Sequence, residues 1–347
     1  MARKKNGKSR GALLLVLAVC GIGLLACLNY YGTFLYRNIR PDAPDGGVVK
    51  IYRTYSYEDL CEAMIGGGVI DNKTTFLRAA KHMKLEEKFK PGRYRFRKSM
   101  GNKQIVRILS HGWQTPVNLS FNGYMRSIEK FAGLLGNKLE ADSLQFLQAL
   151  TSPETFAKYG FNRQTIPAMF IPNTYEVYWT VTPEEFLERM HKEYEKFWTD
   201  ERTAKARAAG LTKTEVSTLA SIVIEETKYE PEMPTIAGVY INRLNKGMML
   251  QADPTVKFAV GDESLKRILN RHLNVDSPYN TYKNTGLPPG PITMPTVAAI
   301  DAVLNYEHHN YLYFCANSSM DGRHAFATSL AGHLENARRY HQAVSGR

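Results

Sequence analysis

Apolar residues fall into three regimes along this chain. Residues 11–28 are mostly apolar and uncharged, and the run extends through Asn29, Tyr30 and Tyr31 to Leu35; about twenty such residues cross a bilayer as a helix. Beyond residue 47 the pattern changes. The run 48–52 predicts a strand and 92–96, alternating with period two, a second one, whereas 56–65, 73–83 and 102–109 predict helices. From residue 114 the periods mix: a strand is predicted over 117–121 and helices over 184–198, 212–227 and 295–305. Further helices close at 240–244 and open at 251–255. A hairpin pairs 311–316 with 324–327 across Asp321-Gly322. This irregular order predicts an α+β class rather than repeated βαβ units.

The helix over 212–227 carries the candidate chemistry. Thr212 and Glu215 have the spacing of a capping box, in which hydroxyl and carboxylate each satisfy an orphan amide at the helix start. Val216, Leu219, Ala220 and Val223 recur on one face. At about 100° per residue Glu226 falls above Leu219, flanked by Ile222 and Val223. Glu225 lies instead above Thr218 and Ser221, on the more polar side. A carboxyl held against apolar side chains loses hydration, which disfavours its ionised form and raises its pKa toward neutrality. That is the profile of a general acid. The ordinary alternative is a helix-end glutamate turned to solvent or paired with a lysine.

Five motifs follow one another over about seventy residues: Ala220-Ser221-Ile222-Val223 with Glu226-Thr227; Ile241-Asn242-Arg243-Leu244; Gln251 with Asp253-Pro254-Thr255; Tyr279-Asn280-Thr281-Tyr282; and Gly286-Leu287-Pro288-Pro289-Gly290. In this order they resemble the endolytic murein transglycosylase family, the YceG-like or MltG-type proteins. The resemblance implies a catalytic role for Glu226, the glutamate before the threonine, which is also the residue placed on the apolar face. It further implies endolytic cleavage of peptidoglycan and functional contact with peptidoglycan synthases. Relatives commonly carry another glutamate where this chain has Ile224. Phe121-Asn122-Gly123 and Ile171-Pro172-Asn173-Thr174-Tyr175 also lack acids usual in the family.

Ordinary glycoside hydrolysis needs two carboxyl groups, and one is strongly indicated here. In the transglycosylase that the resemblance implies, the attacking group is the C6 hydroxyl of the same N-acetylmuramic acid, so Glu226 serves first as acid and then as base. Asn242, Arg243, Gln251, Asp253, Thr255, Tyr279, Asn280 and Tyr282 supply groups suited to sugar hydroxyls, acetamido groups and carboxylates. Each also has a structural reading: Arg243 as a helix C-terminal cap, Asp253 before Pro254 as an N-cap. Two rival functions stay open, a hydrolytic muramidase with Asp253 as second carboxylate and a non-enzymatic wall-binding scaffold.

Composition narrows the rest. With 44% hydrophobic and 22% charged residues the chain is ordinary for a folded protein. Net charge is +12, but Arg3, Lys4, Lys5, Lys8 and Arg10 supply five charges, leaving +7 on the remainder. No nucleic-acid motif accompanies that charge, and a nucleic-acid partner is not expected. An anionic wall polymer or membrane surface is the more economical partner. The basic start followed by the apolar run predicts a retained single-pass anchor in the cell inner membrane, with the bulk outside the cytoplasm or in the periplasm. Leu24-Leu25-Ala26-Cys27 approximates a lipoprotein cleavage box and is the competing reading. Cys61 and Cys315 have no spacing that supports a disulfide and are expected as buried free thiols. No Cys or His cluster has metal-ligand spacing, so no metal or cofactor is expected. The expected organisation is a basic tail (1–10), an anchor (11–35), a linker (36–47), a small module (48–113) and a larger catalytic domain (114–347). The β-α-α-β order of the module looks like LysM modules, which implies glycan binding.

Overall fold

The computed structural model describes residues 6–121, 125–262, 265 and 267–345. Asn122 and Gly123, noted above as departures, lie outside the described residues. Fourteen helices and six strands are present among them, an α+β arrangement in which each sheet has two strands. The chain divides into two compact units, one of Met1–Val117 with Glu176–Thr180, the other of Asn118–Tyr175 with Val181–Arg347.

The first unit starts with α1 (Asn6–Tyr30), continued by one wide turn at Tyr31–Leu35. The most apolar stretch within the span Arg10–Leu35 has a mean hydropathy of 2.7 and no buried residue, so the span is long and apolar enough to cross a membrane. After it come β1 (Val48–Ile51), α2 (Tyr57–Cys61), α3 (Lys73–His82), β2 (Gly92–Arg95) and α4 (Asn102–His111). The two strands pair antiparallel, Val48 opposite Arg95 and Ile51 opposite Gly92. Their inward residues Ile51 and Tyr94 meet Leu60, Met64, Phe76, Ile105 and Leu109 in one core. Residues read as a linker are partly built into this unit. Ile39 is buried and bridges to Ile70, while the Asn38 amide donates to the Asn102 side chain at 2.6 Å and to the Asn72 carbonyl at 3.0 Å. These bonds satisfy buried amides that would otherwise cost free energy.

The second unit holds most of β3 (Val117–Phe121) and of its partner β4 (Asn173–Val177), together with α5 (Ile128–Lys138), α6 (Ser143–Thr151), α7 (Pro153–Tyr159), α8 (Pro183–Phe197) and α9 (Asp200–Ala208). An aromatic cluster of Phe121, Phe131, Phe146, Phe170 and Phe186 joins β3, α5, α6 and α8. Next in the chain are α10 (Lys213–Glu226), α11 (Met233–Asn245), α12 (Asp253–Val260), α13 (Val297–Leu304), the hairpin β5 (Tyr313–Ala316) and β6 (His324–Ala327), and α14 (Leu330–Ser345). The hairpin pairs Tyr313 with Ala327 and Ala316 with His324.

Helix α10 is the axis of this part. The Thr212 hydroxyl accepts from the Glu215 amide at 3.2 Å, and the Glu215 carboxylate accepts from the Thr212 amide at 2.8 Å, both halves of the capping box. From Val216 to Ile224 every residue is buried, with α11, α12 and α13 packed around it. The face that looked polar is therefore internal. Its hydroxyls are satisfied within the helix: Ser217 by the Lys213 carbonyl, Thr218 by that of Thr214, and Ser221 by that of Thr218. Ser221 in turn accepts from the Ile292 amide at 3.0 Å, which fixes the loop holding the Gly-Leu-Pro-Pro-Gly run. In that run a Cβ on Gly290 would sit 2.1 Å from the Gln164 carbonyl oxygen, a contact only glycine avoids.

Candidate active site

The last turn of α10 emerges from the core and sends its two glutamates into different surroundings. Glu225 pairs with Arg126 and its side chain is 11% exposed. Glu226 keeps partial exposure to a cavity of about 400 Å³. From α11 the Tyr240 hydroxyl donates to Glu226 Oε1 at 2.7 Å. Burial pushes the Glu226 carboxyl up to about 7 from an ordinary 4.5; the Tyr240 hydrogen bond and the Arg243 charge oppose that rise, and the Asp253 and Glu225 charges add to it. Tyr240 is itself held well above its ordinary value, by burial first and then by the Glu226 charge, and so remains a donor.

Of the residues singled out in the sequence, Glu226, Arg243, Gln251, Asp253 and Tyr282 line this one cavity. The Tyr282 hydroxyl donates to Asp253 Oδ1 at 2.7 Å. Asp253 is not a helix cap: Ala252 precedes α12 and no side chain caps it. Gln251 sits at φ 50°, in the left-handed region uncommon outside glycine, and its amide donates to the Thr281 carbonyl at 3.1 Å. Backbone strain of this kind concentrates at binding sites. Arg243 is 8% exposed and does not cap its own helix. Its Nε donates to the Leu312 carbonyl at 2.6 Å and its Nη1 to the Leu250 carbonyl at 2.8 Å, and the guanidinium lies over the Tyr313 ring. It thus ties two cavity walls together while placing a positive charge there.

The other four residues stand elsewhere. Asn242 gives its amide to the carbonyls of His309 and Tyr311 at 2.7 and 3.1 Å. Thr255 is buried, donating to the Ala252 carbonyl at 2.7 Å beside the Thr281 hydroxyl. Asn280 is buried and holds the carbonyls of Leu273 and Val275. Thr255 and Asn280 shape the loops that carry Gln251 and Tyr282, whereas Asn242 holds the segment that leads into β5. Tyr279 packs on Phe258 with ring centroids 4.6 Å apart, lining a separate cavity of about 260 Å³ that also contains Arg126. The proline-rich run borders a third cavity, of about 750 Å³, beside the N-terminal turns of α10; it is larger than the Glu226 cavity but holds no acid other than the capping Glu215.

The sequence reading passed over Tyr240, Tyr313, Phe314, His324 and His333 as site residues, and all line the Glu226 cavity. Tyr240 was legible in principle, standing one residue before the Ile-Asn-Arg-Leu motif and on the same helix. The hairpin and α14 residues carried no such signal. His333 stacks on Tyr313 and is held below its ordinary pKa by burial and by Arg243, hence neutral. Cys315, also at the cavity, and Cys61 are free and half-buried rather than fully enclosed, and burial raises both thiols. Among the described residues no group of three or more His, Cys, Asp or Glu could hold a metal ion.

These features define a class: an α+β protein with an N-terminal apolar helix and a polar cavity lined by a carboxyl whose pKa burial raises to about 7. Within it, the chain belongs to the YceG-like family, whose profile matches residues 49–339. It is 43% identical over 123 residues to an endolytic murein transglycosylase of Bacillus subtilis, covering 35% of this chain and 33% of that one. It is 30% identical over 302 residues to an endolytic murein transglycosylase of Streptococcus pneumoniae, covering 78% of this chain and 54% of the other. The chain thus spans between a third and about half of the length of these relatives. A crystal structure of a YceG-like protein from Listeria monocytogenes superposes with a TM-score of 0.55 at 27% identity, covering 83% of this chain and 97% of the other.

Proposed function

We propose that this protein is an endolytic lytic transglycosylase that cleaves the bond between N-acetylmuramic acid and N-acetylglucosamine within peptidoglycan strands, leaving 1,6-anhydro ends. The observation that carries this reading is Glu226: a partly enclosed carboxyl, hydrogen-bonded by Tyr240, with its pKa raised to about 7 and facing an open polar cavity. A carboxyl of that pKa is substantially protonated at neutral pH. It donates its proton to the glycosidic oxygen as the bond to C1 breaks. As carboxylate it then removes the proton from the C6 hydroxyl, whose oxygen closes on C1 of the same sugar. An attacking group already on the substrate has a large effective concentration, so no second protein base is required. Arg243, Gln251, Asp253 and Tyr282 frame the sugar in the same cavity.

Further parts of the reading have their own support. The names of the relatives support peptidoglycan as substrate. The apolar span and basic first residues support a single-pass anchor with the bulk outside the cytoplasm. The β-α-α-β order supports a LysM-like, glycan-binding role for residues 48–113 beside a catalytic domain over 114–347. Contact with peptidoglycan synthases is an expectation from the family. A hydrolytic muramidase is the second reading, favoured by one observation, that Asp253 lines the same cavity as Glu226. Assays on purified sacculi test the assignment of the acid. Glu226→Gln should abolish cleavage with the fold intact by circular dichroism, whereas Glu225→Gln, which alters the ion pair with Arg126, should retain substantial activity. The reverse ranking would show that the wrong glutamate has been chosen.

A further inference from the structure

The Glu226 cavity is lined by an imidazole that the mechanism above does not use, that of His324, which is paired behind it with the Glu232 carboxylate. Glu232 is 8% exposed and stands at the start of α11, where a helix N-terminus favours negative charge. Its Oε1 accepts from the backbone amide of His324 at 2.9 Å, and its Oε2 accepts from His324 Nδ1 at 2.6 Å. A carboxylate can only accept, so Nδ1 carries the ring proton shared with Glu232, and the Nε2 edge of the ring is left for other partners. Among the described residues Nε2 has no hydrogen-bond partner, although the ring lines the cavity. Phe314 meets His324 edge-on at 5.2 Å and Tyr240 edge-on at 5.8 Å. Tyr240 is the donor to Glu226, so packed rings fix the imidazole relative to the acid.

Anchoring β6 requires only the backbone amide and Nδ1. Nothing among the described residues bonds Nε2, yet one carboxylate holds both the backbone amide and the ring Nδ1, and the ring opens onto a polar cavity. We propose that His324, oriented by Glu232, is a substrate-binding residue whose Nε2 hydrogen-bonds a sugar hydroxyl or an acetamido group of the glycan bound at Glu226. This rests on the transglycosylase reading and deepens it by adding a specificity contact on the hairpin wall.

The test is calorimetric binding of soluble glycan strands to the full chain carrying Glu226→Gln, which removes turnover. His324→Asn places its amide nitrogen where Nδ1 stood, keeping the bond to Glu232 but removing Nε2; His324→Gln reaches the position of Nε2. Loss of one hydrogen bond corresponds to about a tenfold weakening. The expected pattern, per folded molecule, is about tenfold weaker binding for His324→Asn and recovery to within about threefold of the parent for His324→Gln. Parent-like binding by His324→Asn, or equal weakening in both variants, would overturn the proposal and leave His324 as a hairpin anchor. If the parent bound no glycan while folded, the transglycosylase reading would fall, and this inference with it.

Discussion

Replacing Glu226 by glutamine should stabilise the protein above neutral pH even as it removes cleavage. The carboxyl has an ordinary value of 4.5 and a folded value of about 7, raised chiefly by burial. Because the folded value is the higher, the folded state prefers the protonated acid. The associated stability is fully present below pH 4.5, declines as pH rises, and is gone above about 7. At about 1.4 kcal/mol per pKa unit the loss is on the order of 3 kcal/mol. Glutamine is neutral throughout and can still accept from the Tyr240 hydroxyl, so the variant escapes the loss. The two proteins should melt together near pH 4, and at pH 8 the variant should melt higher by about 6–12 °C, taking about 2–4 °C per kcal/mol for a unit of this size. Thermal melts of both proteins from pH 4 to 9, followed by circular dichroism, read this directly. A difference that does not vary with pH, or a variant less stable at pH 8, would refute the buried-acid argument.

Other expectations follow from the same cavity and from the chain's start. Cleavage should fall as pH rises past about 7, because the first step needs a protonated Glu226. Tyr240→Phe removes a donor to the carboxylate and should move that decline to higher pH, whereas Asp253→Asn removes a nearby negative charge and should move it lower; shifts in the same direction, read from muropeptide release against pH, would contradict the electrostatics. Protease added to spheroplasts should degrade all but a short anchored fragment, and protection of the full chain would exclude the proposed topology. Lipid labelling at Cys27 would replace the anchor with a lipoprotein.

Local signals carried much of the fold. The capping box at Thr212 and Glu215, the hairpin around Asp321-Gly322 and the apolar span each rest on residues close in sequence, and each is present. Other elements had weak or absent patterns. In α9 only Ala206 is buried, so no apolar stripe marks it; α14 carries Leu330, Leu334 and Val344 at helical spacing, yet all three stay exposed. For α5, α6 and α7 the caps at Ser127, Asp142 and Ser152 were legible but unread. The more polar side of α10 is buried as well, because Ser and Thr can satisfy their hydroxyls on the preceding turn and need no water. At the site, residue type could not separate roles. An asparagine suits a sugar or a carbonyl equally well, and only the tertiary partners of Asn242 and Asn280 show their amides engaged by backbone. His324 and Glu232 stand 92 positions apart, beyond any periodicity.

The central claim is that Glu226 acts alone, with the substrate's own hydroxyl as nucleophile. Digestion of purified peptidoglycan in heavy-oxygen water, followed by mass analysis of the new ends, tests it most directly. The expected products are internal fragments ending in 1,6-anhydro-N-acetylmuramic acid, lighter by one water than hydrolytic ends and free of label. Reducing muramic acid ends carrying heavy oxygen would contradict the single-glutamate mechanism and make Asp253 the missing base.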